Sequence, residues 1–198
     1  MSPERLNAFS DGVIAIIITI MVLELKVPHG SDLTSLSAVL PAFLVYVLSF
    51  ISVGIYWNNH HHLLYLTRRI TGGVLWANLH LLFWLSLMPF VTGWMGENHF
   101  APTPTALYGV VLLCAGIAYY LLEQTIIWSE GASSRLGDAV GGDAKGKLSL
   151  VLYASAIPLA FVNQWISDAL YALVALIWLI PDRRIESLFD GTSEEAAR

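Results

Sequence analysis

The feature that most constrains this chain is a recurrence of apolar runs about as long as a bilayer is thick. A helix needs about 20 mostly apolar residues to cross the hydrocarbon core. Such runs extend from about Leu6 to Leu25, Leu36 to Trp57, Gly73 to Met95 and Thr105 to Trp128, with short polar segments between them. A fifth stretch, Leu148 to Ile180, has 33 residues. One straight helix of that length would measure about 50 Å, too long for a core of about 30 Å. Asn163, Gln164, Ser167 and Asp168 interrupt its middle, so it reads as two helices joined by a tight turn, the second continuing past Pro181. The expected fold is therefore an all-α integral membrane protein of six transmembrane helices, its six-span unit covering 1–185. A short acidic tail, 186–198, follows.

Composition agrees. Hydrophobic residues make up 56% of the 198 and charged residues 13%, about half the charged share of a soluble domain. That excludes a disordered chain and an ordinary soluble enzyme. The net charge of −5 excludes a nucleic-acid binder, which needs a basic footprint. The single cysteine, Cys114, excludes an intramolecular disulfide. The opening MSPERLNAFSDG is polar and no small-residue cleavage site follows the first apolar run, so that run is expected to be retained as a span.

Orientation follows from the basic residues, which favour cytoplasmic loops. Six spans with the N-terminus inside put Arg5, Arg68, Arg69, Arg135, Lys145, Lys147, Arg183, Arg184 and Arg198 on the cytoplasmic side, leaving only Lys26 outside. A five-span arrangement would misplace the last three. Both termini are expected to be cytoplasmic. The segment SEGASSRLGDAVGGDAKGK reads as a surface connection.

The first span differs from the others. It carries Asp11 near its cytoplasmic end and Glu24 near its far end, and ionisable residues in a span usually face a bundle interior or a water-filled path. At about 100° per residue, Gly12, Ile16, Thr19, Ile20 and Leu23 form one stripe, and Asp11 points about 140° away from Ile16. The stripe is compatible with packing on a neighbouring helix and with lining an enclosed path.

The segment RLNAFSDGVIAIIITIMVLEL contains R-x-x-x-F-S-D followed by an aliphatic helix, filled by Arg5, Phe9, Ser10 and Asp11. In this the chain resembles the transmembrane protein 175 family. YWNNHH at the end of span two and WANLHLLFWLSLMPF in span three are also similar to that family's pattern. The resemblance implies a potassium-favouring cation channel in the cell membrane, assembled as a homotetramer with four first helices around a central pore. It implies no cofactor or metal beyond the permeant potassium ion, and no catalytic residues. Ile16, five positions after the motif aspartate, matches the family's hydrophobic constriction, with Ile20 and Leu23 as further apolar rings. Such rings gate by dewetting. Thr19 would add a ring of hydroxyls, giving a weaker preference for potassium over sodium than a carbonyl filter. The family ties its Ser-Asp pair to polar residues of spans two and three; the candidates are Trp57, His60 and Asn78. Arg5, Phe9, Ser10 and Asp11 are accordingly expected to hold the pore helix in place.

No Thr-Val-Gly-Tyr-Gly filter is present, and its lookalike at Ser52 to Tyr56 lies inside an unbroken apolar span. His60, His61 and His62 point about 100° apart on a helix, so they are expected to pack at the interface rather than share a metal. Their protonation offers a coupling to gating. His80 is expected to be a satisfied interior histidine. Glu123 and Gln124 are expected to reach the interface or a basic loop residue. Glu24 would concentrate cations at the outer mouth, with Lys26 cancelling much of its field. Trp57, Trp94, Trp128, Trp165 and Trp178 read as interface anchors, and Pro41, Pro89 and Pro158 as sites of kinks. A proton-linked carrier is the rival reading. It would need ionisable groups at mid-membrane, where span one has IAIIITI. An embedded enzyme would need ligands spaced on facing helices, and the histidines are clustered at one helix end.

Overall fold

The computed structural model describes residues 2–131, 136–137 and 144–179, and every regular element among them is helical. The chain begins with α1 (Pro3–Leu23), capped by the Ser2 hydroxyl accepting from the Arg5 amide at 3.5 Å, with Pro3 in the first turn where its missing N–H costs nothing. A 3₁₀ segment (Leu33–Ala38) leads into α2 (Leu40–Leu66). The Asp32 side chain accepts from the Ser35 and Thr34 hydroxyls at the start of that segment, which holds its carboxyl below the usual range.

Span two is therefore displaced from the sequence expectation of Leu36 to Trp57. It starts later, after the 3₁₀ turns, and runs on through the histidine run, so all three histidines are helical. Residues 52–56 lie in this continuous helix.

Span three is two helices, α3 (Gly72–Ser86) and α4 (Met88–Glu97), where a single helix was expected. Pro89 is the cause. It has no N–H to give the Leu85 carbonyl, and its ring crowds that carbonyl. The Ser86 hydroxyl meanwhile donates to the Phe83 carbonyl at 2.7 Å. The longest helix, α5 (Pro102–Glu130), follows, and then α6 (Ala144–Leu159) and α7 (Gln164–Leu179), joined by residues 160–163. Asn163 makes the turn, its Oδ1 accepting from the Trp165 amide at 3.0 Å, while the Ser167 hydroxyl donates back to the Ala156 carbonyl at 2.7 Å.

Among the described residues, four helical stretches are long and apolar enough to cross a membrane: α1, α2, α3 with α4, and α5. The chain is a multi-pass membrane protein. Helix α7 is apolar but shorter, and α6 has 16 residues. The tail 186–198, Arg135, Arg183, Arg184, Arg198 and the continuation past Pro181 lie outside the described residues, as does most of the 129–147 connection.

The packing places α1 against α2, α3 and α4 on one side only. A buried hydroxyl set braces the helices behind it. Ser49 on α2 bonds Thr92 on α4 at 2.7 Å and Tyr108 on α5 at 3.1 Å, and the Tyr171 hydroxyl on α7 donates to the Thr105 carbonyl at 3.1 Å. With no water in a bilayer core, such pairs satisfy groups that would otherwise be orphaned. The α2–α4 approach depends on Gly96: a Cβ there would lie 2.6 Å from Ala42 Cα and 3.0 Å from Ala42 Cβ. Backbone must move to admit it. Gly96→Ala is expected to lower the stability of the detergent-solubilised protein by about 1–3 kcal/mol, read as a reduced melting temperature; an unchanged melting curve contradicts the tight α2–α4 contact.

Candidate functional site

Helix α1 buries Leu6, Ser10, Ile14, Ile17 and Met21, spaced four, four, three and four residues apart. This face packs into the protomer. The stripe expected from the sequence lies opposite. Gly12, Ile16, Thr19, Ile20 and Leu23 are all exposed, Ile16 by 60% and Leu23 by 75%. A Cβ built at Gly12 would meet nothing within 4 Å. Among the described residues, nothing of the chain covers the stripe.

Buried polar contacts set this rotation. Ser10, His60 and Asn78, from α1, α2 and α3, are each 0% exposed. Asn78 Nδ2 donates to Ser10 Oγ at 3.0 Å, so its Oδ1 faces His60 Nε2 at 2.6 Å. His60 therefore carries its proton on Nε2. Ser10 Oγ, having accepted from Asn78, donates to the Leu6 carbonyl at 2.9 Å. One donor direction runs from α2 through α3 to the α1 backbone.

Asp11 sits beside this chain, half-buried. Its Oδ1 accepts from Trp57 Nε1 at 2.9 Å, and its Oδ2 from Asn7 Nδ2 at 3.0 Å. The structure thus brings together Ser10, Asp11, Trp57, His60 and Asn78. It does not bring in Arg5 or Phe9, whose exposed side chains face away from the buried set. Asn7 is the member that sequence reasoning missed. Its signal was present, because residues four apart on a helix meet and Asn7 precedes Asp11 by four.

Other positions depart from the sequence reading. The three histidines diverge: His60 turns to Asn78, and the exposed His61 turns to Asn7. His80 is exposed, not interior, and its Nε2 accepts from Trp84 Nε1 at 2.9 Å, one turn along the same helix. Glu123 is buried at 5% exposure instead of reaching out to the interface, and Gln124 Nε2 lies 3.3 Å from its Oε1. Lys26 pairs with Glu97 at 2.6 Å rather than with Glu24. The hydrogen bond it donates to Glu97, and then the charge of Glu97, hold the Lys26 ammonium above the usual lysine range. Glu24 instead lies along Gly93, where a Cβ would come within 3.5 Å of its Oε2.

Thr19 has a chemically useful orientation. Its hydroxyl donates to the Ala15 carbonyl at 2.8 Å, so its oxygen presents only lone pairs away from the helix. Four apolar or acceptor-only positions then follow each other along the exposed stripe, with no charged group among them.

Comparison with known proteins supplies the context. The family model described as endosomal/lysosomal potassium channel TMEM175 matches residues 5–89. A protein of Chryseobacterium sp. (strain P1-3) named a potassium channel is 56% identical over 94% of this chain and 97% of its own length. A crystal structure of a lysosomal potassium-selective channel TMEM175 homolog from Chamaesiphon minutus superposes with a TM-score of 0.77 at 28% identity, covering 90% of this chain and 96% of that one. A Bos taurus protein named endosomal/lysosomal proton channel TMEM175 is 33% identical over 81% of this chain, which corresponds to 37% of its own length.

The buried set is expected to be structural in its energetics. Asn78→Leu leaves the His60 Nε2 donor unpaired and takes one donor from Ser10 Oγ, which keeps its bond to the Leu6 carbonyl, at a cost of about 1–3 kcal/mol, visible as a lowered melting temperature. Asp11→Asn keeps an acceptor for Trp57 and is expected to cost less than Asp11→Leu. Equal losses for the two Asp11 variants would mean that Trp57 does not hold that side chain.

Proposed function

The chain belongs to the TMEM175 family, and from that premise we propose that it is a cation channel favouring potassium, a homotetramer whose pore is lined by four copies of α1. The observation that carries this reading is the rotation of α1. Its buried polar face is spent on α2 and α3, so Gly12, Ile16, Thr19, Ile20 and Leu23 are left for a four-fold axis.

Around that axis Ile16, Ile20 and Leu23 form successive apolar rings, with Ile16 as the constriction. A narrow apolar ring excludes water and so blocks hydrated ions until the side chains rotate or part. Thr19 lies between them and offers four lone-pair oxygens that replace part of an ion's water shell. Few fixed ligands surround the ion, which gives a modest preference for potassium over sodium. Ser10 and Asp11, with Trp57, His60 and Asn78, anchor the pore helix; Arg5 and Phe9 stand at its cytoplasmic end. The permeant potassium ion is the only small partner required, beside the surrounding lipid.

The same reading places six spans in the cell membrane, α6 and α7 forming the last two, with both termini cytoplasmic and 186–198 as a tail on the unit 1–185. The distribution of Lys and Arg supports it, as does the polar turn at 160–163 that divides the last apolar stretch. Proton-linked exchange is the rival. It calls for an ionisable group at mid-membrane on the lining helix, and the middle of α1 is IAIIITI.

Ion flux through the purified protein in liposomes tests this, with potassium, sodium, N-methylglucamine and proton gradients compared. Potassium is expected to pass faster than sodium, and N-methylglucamine not at all. Ile16→Asn, which wets the constriction, is expected to raise flux severalfold. Flux of protons tightly coupled to a counter-cation, unaffected by Ile16→Asn, would replace the channel with an exchanger.

A further inference from the structure

Helix α2 turns one face to α1 and the opposite face away from it. Trp57 and His61 serve the first. Ser52, Ile55, Tyr56 and Asn59, spaced three, one and three residues apart, form the second. They wall a cleft of about 640 Å³ that α2 shares with α5, α6 and α7. That volume lies within the roughly 300–1,000 Å³ of sites that hold small molecules. Small residues make the hollow: Gly116 on α5, Gly146 on α6 and Ala175 on α7 all line it. A Cβ at Gly116 would come within 2.9 Å of Leu150 Cδ2 and 3.6 Å of Tyr56 Oη.

Several polar groups of the wall are spent within the protein. The Ser52 hydroxyl donates to the Leu48 carbonyl at 2.8 Å, and Asn59 Nδ2 to the Ile55 carbonyl at 2.9 Å. The Tyr119 hydroxyl donates to the Asn59 carbonyl at 3.3 Å, and Trp178 Nε1 to Ser149 Oγ at 2.8 Å. Two hydroxyls are not spent. Among the described residues, neither Tyr56 Oη nor Tyr153 Oη has a hydrogen-bond partner, and neither oxygen is enclosed by protein atoms. Tyr153 is nonetheless only 6% exposed, so what its hydroxyl meets is the cleft. An occupant that satisfies both hydroxyls offers them acceptors. Elsewhere it is apolar, because Ile55, Leu150 and the tyrosine rings supply much of the remaining wall.

The place of the cleft in the bundle identifies that occupant. It sits at the end where α2 and α7 finish and α6 begins, since Asn59, Trp178 and Gly146 all line it. Lys145 and Lys147 stand on either side of Gly146, and the exposed Arg68 and Arg69 follow α2 at the same end. A basic rim on a pocket between spans suits an anionic lipid headgroup. Beside the cleft, the exposed Ile117, Leu121, Leu148 and Val151 of α5 and α6 present hydrocarbon surface to a bilayer.

We propose that this cleft holds one anionic phospholipid. An acyl chain lies against Ile55 and Leu150, the ester carbonyls accept from the Tyr56 and Tyr153 hydroxyls, and the phosphate faces Lys145 and Lys147. Tyr153 follows Lys145 by eight residues, about 12 Å along α6. Helical side chains lean toward the N-terminus, which brings the Tyr153 hydroxyl back toward the lysines and reduces that depth. Headgroup charge, ester linkage and hydrocarbon chain therefore meet basic, hydroxyl and apolar wall in the order in which a lipid carries them. The site goes beyond the channel reading and does not depend on which ion passes.

The test uses the full-length protein, exchanged into lipid-free detergent and then given phosphatidylglycerol, phosphatidylcholine with the same chains, or oleate. Melting temperature and native mass spectrometry report binding. Phosphatidylglycerol is expected to raise the melting temperature by several degrees and to bind about tenfold more tightly than phosphatidylcholine, the order expected for two basic side chains. Lys145→Gln with Lys147→Gln is expected to remove that preference. Tyr56→Phe with Tyr153→Phe is expected to weaken both phospholipids about fivefold and to leave the lipid-free melting temperature unchanged, since no bond within the protein is lost. Equal binding of the two phospholipids by wild type overturns the proposal, as does a preference that survives in the lysine variant. A tyrosine variant that melts lower without lipid and binds lipid as wild type does would make the hydroxyls structural, and also overturns it. Oleate binding as tightly as phosphatidylglycerol would give the cleft to a free fatty acid and overturn the phospholipid assignment.

Discussion

The rotation of one helix about its own axis is the constraint on which everything else in this protein depends. Helix α1 could bury any of several aliphatic faces with similar gain, because Ile, Val, Leu and Met surround most of its circumference. Apolar burial is not directional. Hydrogen bonds are. Ser10 must meet Asn78, and Asn78 must meet His60, because all three are fully buried and an unpartnered polar group in such surroundings is costly. Only one rotation of α1 satisfies them, and that rotation turns Ile16 and Thr19 outward.

The helices behind α1 act as a collar. The Ser49–Thr92–Tyr108 bonds and the close approach at Gly96 join α2, α4 and α5. The α3–α4 break at Pro89 gives span three two segments, so α3 can meet the motif of α1 while α4 packs against α1 near Glu24. At that far end the Lys26–Glu97 pair is exposed, and exposed ion pairs contribute little. The directional hold on α1 is thus concentrated at the motif end.

Much of this is legible in the sequence, and the remainder is hidden for definite reasons. The four long apolar helices could be read because bilayer thickness sets an apolar run length, and the division of the last stretch because Asn163 and its polar neighbours mark a turn. The exposed stripe on α1 follows from helical periodicity alone. Periodicity could not say whether lipid, a neighbour or an ion path covers it. The side-chain partners of the motif's fixed residues came into view through family resemblance, whereas Asn7 needed the i,i+4 rule to be applied to one of the motif's variable positions. Other features depend on which of two near neighbours wins. Lys26 chooses Glu97 from a distant helix over Glu24 two residues away, and His80 turns outward to Trp84 on its own helix. Sequence spacing cannot rank such pairs.

The central claim is that the Gly12–Leu23 stripe faces the ion path while the Ser10 face does not. Substituted-cysteine block by silver ions tests it most directly, because the chain has one native cysteine, Cys114, to be removed first by Cys114→Ala. The account predicts that silver blocks potassium flux through Ile16→Cys, Thr19→Cys and Leu23→Cys, and leaves Ile14→Cys and Ile17→Cys unaffected. Block at Ile14 and Ile17 with none along the stripe would contradict it, and would mean that the hydrogen-bonded face, not the exposed one, meets the ion.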